Sequence, residues 1–103
     1  MRIVEIEKRT SILIKQLLKI WESSVRETHL FLSDNEIKRI ADYVPLALNN
    51  INHLVIVEDD NYQPVAFMGI EKERLEMLFV APNEMKKGLG KSLIQFGIKN
   101  YQL

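Results

Sequence analysis

The stretch from Leu75 to Leu93 constrains this chain more than any other. It runs Leu-Glu-Met-Leu-Phe-Val-Ala-Pro and continues Asn-Glu-Met-Lys-Lys-Gly-Leu-Gly-Lys-Ser-Leu. An apolar, strand-like run hands over to a helix through a turn with two glycines two positions apart. Backbone N–H groups at a helix start have no helical partner, and the helix dipole adds about half a positive charge there. Gly88 and Gly90 lack a Cβ, so the backbone can take left-handed angles and approach a ligand closely. Lys86, Lys87 and Lys91 crowd the same turn. Such a loop suits a diphosphate. It is not a P-loop, because the spacing G-x-x-x-x-G-K-[ST] is absent. Nor is it the dinucleotide fingerprint, since Leu93 stands where a third small residue is required.

The remaining chain reads as one α/β domain of 103 residues. A first strand is expected over Ile3–Glu7. Ser11 caps a helix to about Glu27, with Ile14, Leu17, Leu18, Trp21 and Val25 at helical spacing. Trp21 therefore reads as core. After a loop at Thr28–Leu32, Ser33 and Glu36 form a capping box. The helix they open buries Ile37, Ile40, Ala41, Val44 and Leu48. Pro45 kinks or ends it near Tyr43–Val44. Strands follow at Leu54–Glu58, Val65–Glu71 and Arg74–Val80, joined by turns at Asp59–Tyr62 and Glu71–Glu73. Gly69 marks a bulge. A last helix spans Gly88–Tyr101. Its Leu89, Leu93, Ile94, Phe96 and Ile98 cover most of its circumference, which predicts deep packing. The order is β-α-α-β-β-β-α, a mostly antiparallel sheet with helices on both faces.

Composition narrows the function classes. Fourteen basic and fourteen acidic residues cancel, so no global field draws nucleic acid or membrane. There is no cysteine, hence no disulfide framework and no thiol nucleophile. The two histidines and scattered acids show no metal-ligand spacing. No signal peptide or membrane-length apolar run is present, and a cytoplasmic location is expected.

Leu75, Leu78, Phe79, Val80 and Pro82, followed by Gly88, Gly90 and Leu93, resemble the motif L-x-x-L-[FY]-V-x-P … [QR]-x-x-G-x-[GA]-x-x-L of the GCN5-related N-acetyltransferases (GNAT). Trp21, Ser24-Val25, Thr28-His29 and Phe31-Leu32-Ser33 are similar to an upstream pattern of small bacterial members, as is Gln63–Met68. Met85 departs from the pattern, standing where the family has Gln or Arg. Lys86 and Lys87 are the candidates for compensating charge.

The resemblance implies acetyl-CoA as donor and a small-molecule or protein amine as acceptor, with no metal. The loop Met85, Lys86, Lys87, Gly88, Leu89, Gly90, Lys91 and Ser92 would hold the coenzyme. The backbone of Leu78, Phe79 and Val80 would pair with its pantetheine arm, and an N–H near Leu78 would polarise the thioester. Glu76, three residues before the aromatic, is the candidate base; its alternative is an outward carboxylate on an alternating strand. His29 is the candidate acceptor-binding residue; its alternative is a plain polar loop residue. His53 has no evident role, and Tyr101 lies on the wrong helix to protonate a leaving thiolate. The chain is shorter than a whole member, and the family's fifth strand, fourth helix and closing hairpin have no counterpart in it. Two functions stay open: an N-acetyltransferase, or a non-catalytic fragment that binds coenzyme A or a partner. An uncovered fourth strand implies a homodimer or a complementing chain.

Overall fold

A computed structural model describes residues 1–103. The elements are β1 (Arg2–Ile6), α1 (Ser11–Thr28), α2 (Asp34–Ala41), α3 (Val44–Asn50), β2 (His53–Glu58), β3 (Pro64–Glu71), β4 (Arg74–Val80) and α4 (Leu89–Tyr101). The four strands form one antiparallel sheet in the order β1-β2-β3-β4.

β2 and β3 are nearly continuous apolar runs, and they are buried on both faces. Successive side chains on a strand point to opposite faces. Leu54, Ile56 and Phe67 accordingly join α1, α2 and α3 in one core. Val55, Val57, Met68 and Ile70 join α4 in another. Two bulges interrupt the ladder. Val57 pairs with Ala66 but Glu58 with Pro64, which leaves Val65 unpaired. Val65 and Ala66 therefore both face the α4 core. Gly69 pairs with Met77 but Ile70 with Leu75, so the expected bulge near Gly69 is present and its extra residue is Glu76.

The helices follow local chemistry with some differences from expectation. Thr10, not Ser11, caps α1; its Oγ1 accepts from the Leu13 N–H at 3.2 Å. The extended backbone of Thr10 aims its hydroxyl at that amide, while Ser11 is already helical. The capping box is present, with the Glu36 N–H on Ser33 Oγ at 3.1 Å and the Ser33 N–H on Glu36 Oε1 at 2.9 Å. The Ser33 amide also holds the Glu36 carboxyl below its ordinary pKa. Past Ala41 the helix ends and α3 begins, with Pro45 in its first turn, where no backbone donor is lost. The break turns Ile40 out of the expected stripe, leaving it 41% exposed. The Arg9 guanidinium donates to the carbonyls of Leu48, Asn49 and Asn52 and so closes the C-terminal end of α3.

α4 is less deeply packed than its composition predicts. Leu89, Leu93 and Gly97 form its buried stripe, and Ile98 is 56% exposed. The helix lies against one face of the sheet with nothing packed over it, so a second apolar stripe has nothing to meet. At Gly97 an added Cβ would stand 3.2 Å from Ile70 Cδ1 and 2.9 Å from Leu103 Cδ2, so the missing side chain sets the close helix–sheet approach.

The far end of α4 is tied to β1 and β2. The Tyr101 hydroxyl donates to Glu5 Oε1. Glu5 Oε2 lies 2.9 Å from His53 Nδ1, and the His53 and Tyr101 rings stack with centroids 4.2 Å apart. The His53 contact, then the Tyr101 hydroxyl, hold Glu5 below its ordinary pKa. Burial, then the Glu5 bond, push the Tyr101 phenol well up. Neither His53 nor Tyr101 carries a sequence signal for this contact.

Two outcomes are expected. Tyr101→Phe should cost about 1 kcal/mol at neutral pH, because one partly exposed hydrogen bond to a charge is removed. The depressed Glu5 stabilises the fold above the ordinary carboxylate range, and that contribution is lost as pH falls through its folded pKa. The raised Tyr101 contributes fully below about pH 10 and loses its contribution as pH rises beyond. Urea titrations across pH should show the alkaline loss flattened in Tyr101→Phe and the acid loss flattened in Glu5→Gln. Separately, the β3–β4 turn holds Lys72 at φ 49° and Glu73 at φ 66°. Lys72→Asn combined with Glu73→Gly relieves left-handed strain and should stabilise the chain by about 1 kcal/mol, read by the same titration.

Candidate functional site

The glycine loop leaves the sheet at the end of β4. The Ala81 N–H still donates to the Val65 carbonyl at 2.9 Å, so pairing runs one residue past the strand. A 3-10 turn over Pro82–Glu84 follows, and the Met85 N–H is spent on the Pro82 carbonyl at 3.3 Å. Lys86 and Gly88 both take left-handed angles, φ 68° and φ 78°. The first helical bond of α4 runs from the Ser92 N–H to the Gly88 carbonyl at 3.0 Å. Between these two fixed points the backbone N–H groups of residues 86–91 have no protein partner. Consecutive free amides on a backbone curled this way make an anion-binding concavity. Nothing lies within 4 Å of a Cβ built on Gly88, so the space in front of the loop is open.

The lysines do not contribute equally. Lys87 Nζ is 2.7 Å from Glu84 Oε2, a carboxylate only 15% exposed, so its charge is already matched. Lys86 and Lys91 have no carboxylate within salt-bridge distance. Leu89 is buried and anchors the helix start. A Cβ on Gly90 would sit 3.8 Å from Leu78 Cδ2, so the loop rests on β4.

β4 is an edge strand. Its outward N–H and C=O groups have no strand partner beyond it, as an extended ligand requires. Leu78 and Val80 pack toward α4. Met77 and Phe79 pack toward α1, and the Phe79 ring lies 5.6 Å from that of Phe67. The bulge changes the position of Glu76. Strict alternation sends it to the face opposite Met77, but as the extra residue it borders a pocket of about 260 Å³ together with Met77 and Phe79. Trp21, Ile40 and Tyr43 form the opposite wall. Glu76 Oε1 is 3.3 Å from an Arg74 guanidinium nitrogen.

The fold thus brings Glu76, Leu78 and Phe79 together on β4 and sets the loop at its C-terminal end. His29 lies elsewhere. It ends α1, its Nδ1 is 2.9 Å from Thr28 Oγ1, its ring lies beside Phe31, and it borders no pocket. The pocket walls Ile40 and Tyr43 escaped the sequence reading. Their signal was an aromatic residue exposed just before a helix-starting proline. A larger polar cleft of about 440 Å³ between Gln16, Lys19, Gln63 and Asn83 borders neither Glu76 nor the glycines. No three His, Asp or Glu side chains converge on one point.

No established family model matches the sequence. Curated relatives do. A peptidyl-lysine N-acetyltransferase YjaB of Salmonella typhimurium is 32% identical over 88 residues, 82% of this chain and 57% of that protein. The Escherichia coli protein of the same name is 31% identical over 84 residues, 82% of this chain and 56% of that protein. This chain therefore spans somewhat over half the length of the curated relatives it matches. The solution structure of apo YjaB from Escherichia coli superposes with a TM-score of 0.81 at 28% identity, over 96% of this chain and 66% of that one. A GNAT acetyltransferase from Brucella melitensis, solved with acetyl-CoA, shares the fold at a TM-score of 0.65 and 18% identity, over 95% of this chain and 67% of that one. No transmembrane-length apolar helix occurs. With a sequence match over 82% of its length and a fold match over 96%, this chain belongs to the GCN5-related N-acetyltransferase superfamily.

Proposed function

We propose that these residues form the coenzyme site and the proton acceptor of an acetyl-CoA-dependent N-acetyltransferase acting on an amine. The observation that carries this reading is the row of unpartnered N–H groups at 86–91, beside an edge strand with its own outward donors. The residues fit the ligand. Left-handed Lys86 and Gly88 curl the amides around one point, the space before Gly88 is open, and Lys86 and Lys91 keep uncompensated charge.

Bound acetyl-CoA supplies a thioester carbonyl whose carbon accepts an amine nitrogen while the C–S bond breaks. The chain's own groups do the rest. Amides 86–91 hold the diphosphate. Outward groups of Leu78 and Val80 align the amide arm, whereas the N–H and C=O of Phe79 point to β3 and take no part, and an N–H at Leu78 stabilises the carbonyl oxygen as charge gathers there. Glu76 takes the proton that the ammonium must lose before its nitrogen can attack, and the second proton shed by that nitrogen goes, through water, to the departing thiolate. With no cysteine present, transfer runs directly to the amine. The free edge of β4 also supports a second reading of its use, pairing with another copy of the chain. Coenzyme and copy would compete for that edge.

Isothermal titration with coenzyme A is the primary test. Gly88→Val and Gly90→Val should each abolish binding in a folded protein, and unchanged affinity in both would refute the coenzyme site. Lys86→Ala should weaken binding by only about 0.5–1 kcal/mol, because exposed charges are screened. Turnover by an isolated monomer should be slow, since one flank of β4 is open to water and acyl transfer needs a shielded, positioned acceptor. Rapid acetylation of an amine by a monomer verified by light scattering would contradict this. The same light-scattering measurement, with and without coenzyme A, checks whether a dimer forms and whether the coenzyme dissociates it.

A further inference from the structure

Glu84 sets a carboxylate beside a loop whose free amides suit an anion, and an unpaired negative charge there would oppose that ligand. The charge is paired. Glu84 Oε2 lies 2.7 Å from Lys87 Nζ, with the Glu84 side chain 15% exposed and that of Lys87 53%. The contact spans three positions and closes over the sharpest part of the loop. Between its ends Met85 is extended, at φ −66° and ψ 157°, and Lys86 turns back at φ 68°. A lysine holds a left-handed angle only at a cost, and such angles persist where the surroundings fix them. On the upstream side two backbone bonds do so, from the Glu84 N–H to the Ala81 carbonyl at 2.8 Å and from the Met85 N–H to the Pro82 carbonyl. The next N–H bonded to a backbone carbonyl is that of Ser92. In the gap, the Glu84–Lys87 pair is the one hydrogen bond or ion pair that a side chain supplies.

We propose that the Glu84–Lys87 pair is a clamp that presets the curl of the loop, so that Lys87 acts through Glu84 and not on the diphosphate. The proposal rests on the coenzyme reading above and deepens it by separating the lysines. Lys86 and Lys91 keep free charge for the anion, whereas Lys87 shapes the backbone that meets it. The free amides of residues 86 and 87 lie within the ring that the pair closes. Their directions are therefore set before a ligand arrives, and binding loses less freedom in ordering them. Glu84 and Lys87 are thus positioning residues. One substitution has a sign that separates a clamp from a direct contact. Glu84→Gln deletes a negative charge near an anion site and releases Lys87. Were Lys87 a ligand of the diphosphate, both changes would tighten binding. Loss of a clamp weakens it.

The 103-residue chain and three variants, Glu84→Gln, Lys87→Met and the two combined, are titrated calorimetrically with coenzyme A at low and high salt, and unfolded in urea. Glu84→Gln should bind coenzyme A about fivefold more weakly, the upper range for a partly exposed ion pair. Lys87→Met should weaken binding at least as much, since it also leaves Glu84 unpaired. The combined variant should be no weaker than the weaker single variant, because residues that act as one unit are not additive. It keeps the net charge of the chain, so the salt dependence of its binding should match that of the unaltered chain. Urea midpoints should stay close to one another, which separates a set loop from a loosened fold. Unchanged or tighter binding in Glu84→Gln would overturn the clamp. So would additive losses in the combined variant, a reduced salt dependence there, or urea midpoints that fall in step with affinity. Failure of the unaltered chain to bind coenzyme A rejects the coenzyme reading and the clamp with it, whereas binding that Glu84→Gln does not weaken rejects the clamp alone.

Discussion

Burial of β2 and β3 on both faces is the constraint from which the rest of the structure follows. Phe67 and Met68 are neighbours in sequence and fully buried in different cores. A sheet whose middle strands are apolar on both sides must be covered twice, by α1–α3 on one face and α4 on the other. That arrangement sets the two candidate features on opposite sides of β4. The glycine loop belongs to the α4 side, and the Glu76 pocket to the α1–α3 side. A ligand lying along the β4 edge touches both. In the proposed transferase, donor and acceptor would reach the same backbone from opposite faces, and neither core would have to open to admit them.

Much of this was legible because it is written in local periods and local turn chemistry. The apolar run at Leu54–Val57 and the capping box at Ser33 and Glu36 each need only neighbouring residues to be read. So does the Pro45 break. The misses share a different cause. Thr10 rather than Ser11 caps α1 because of backbone angles one residue upstream. Ile98 sits at an apolar helical position but faces solvent, since no element lies opposite it, and Ile40 is turned out of its stripe by the break before Pro45. Periodicity shows which face of a helix is apolar; only tertiary placement shows how wide a face is covered.

The candidate site divides along the same line. Gly88 and the free amides follow from a two-glycine helix start. The pairing of Lys87 with Glu84 leaves Lys86 and Lys91 as the free charges, a distinction that depends on a turn geometry composition does not reveal. Gly69 announced a bulge, but not that the extra residue lies across the ladder at Glu76. One unpaired residue decides whether that carboxylate faces solvent on an alternating strand or the rim of a pocket. Glu5, His53 and Tyr101 are 48 and 96 positions apart and carry no mutual signal in sequence.

That last cluster carries a kinetic consequence. The Tyr101–Glu5 bond closes a loop of 96 positions. The hairpins β2–β3 and β3–β4 need only short closures, whereas this contact needs nearly all of the intervening chain in place first. A contact made after the rate-limiting step leaves the folding rate alone and acts on the unfolding rate. Loss of the Tyr101–Glu5 bond should then appear in the unfolding rate more than in the folding rate, and it acts at the helix terminus farthest from the glycine loop.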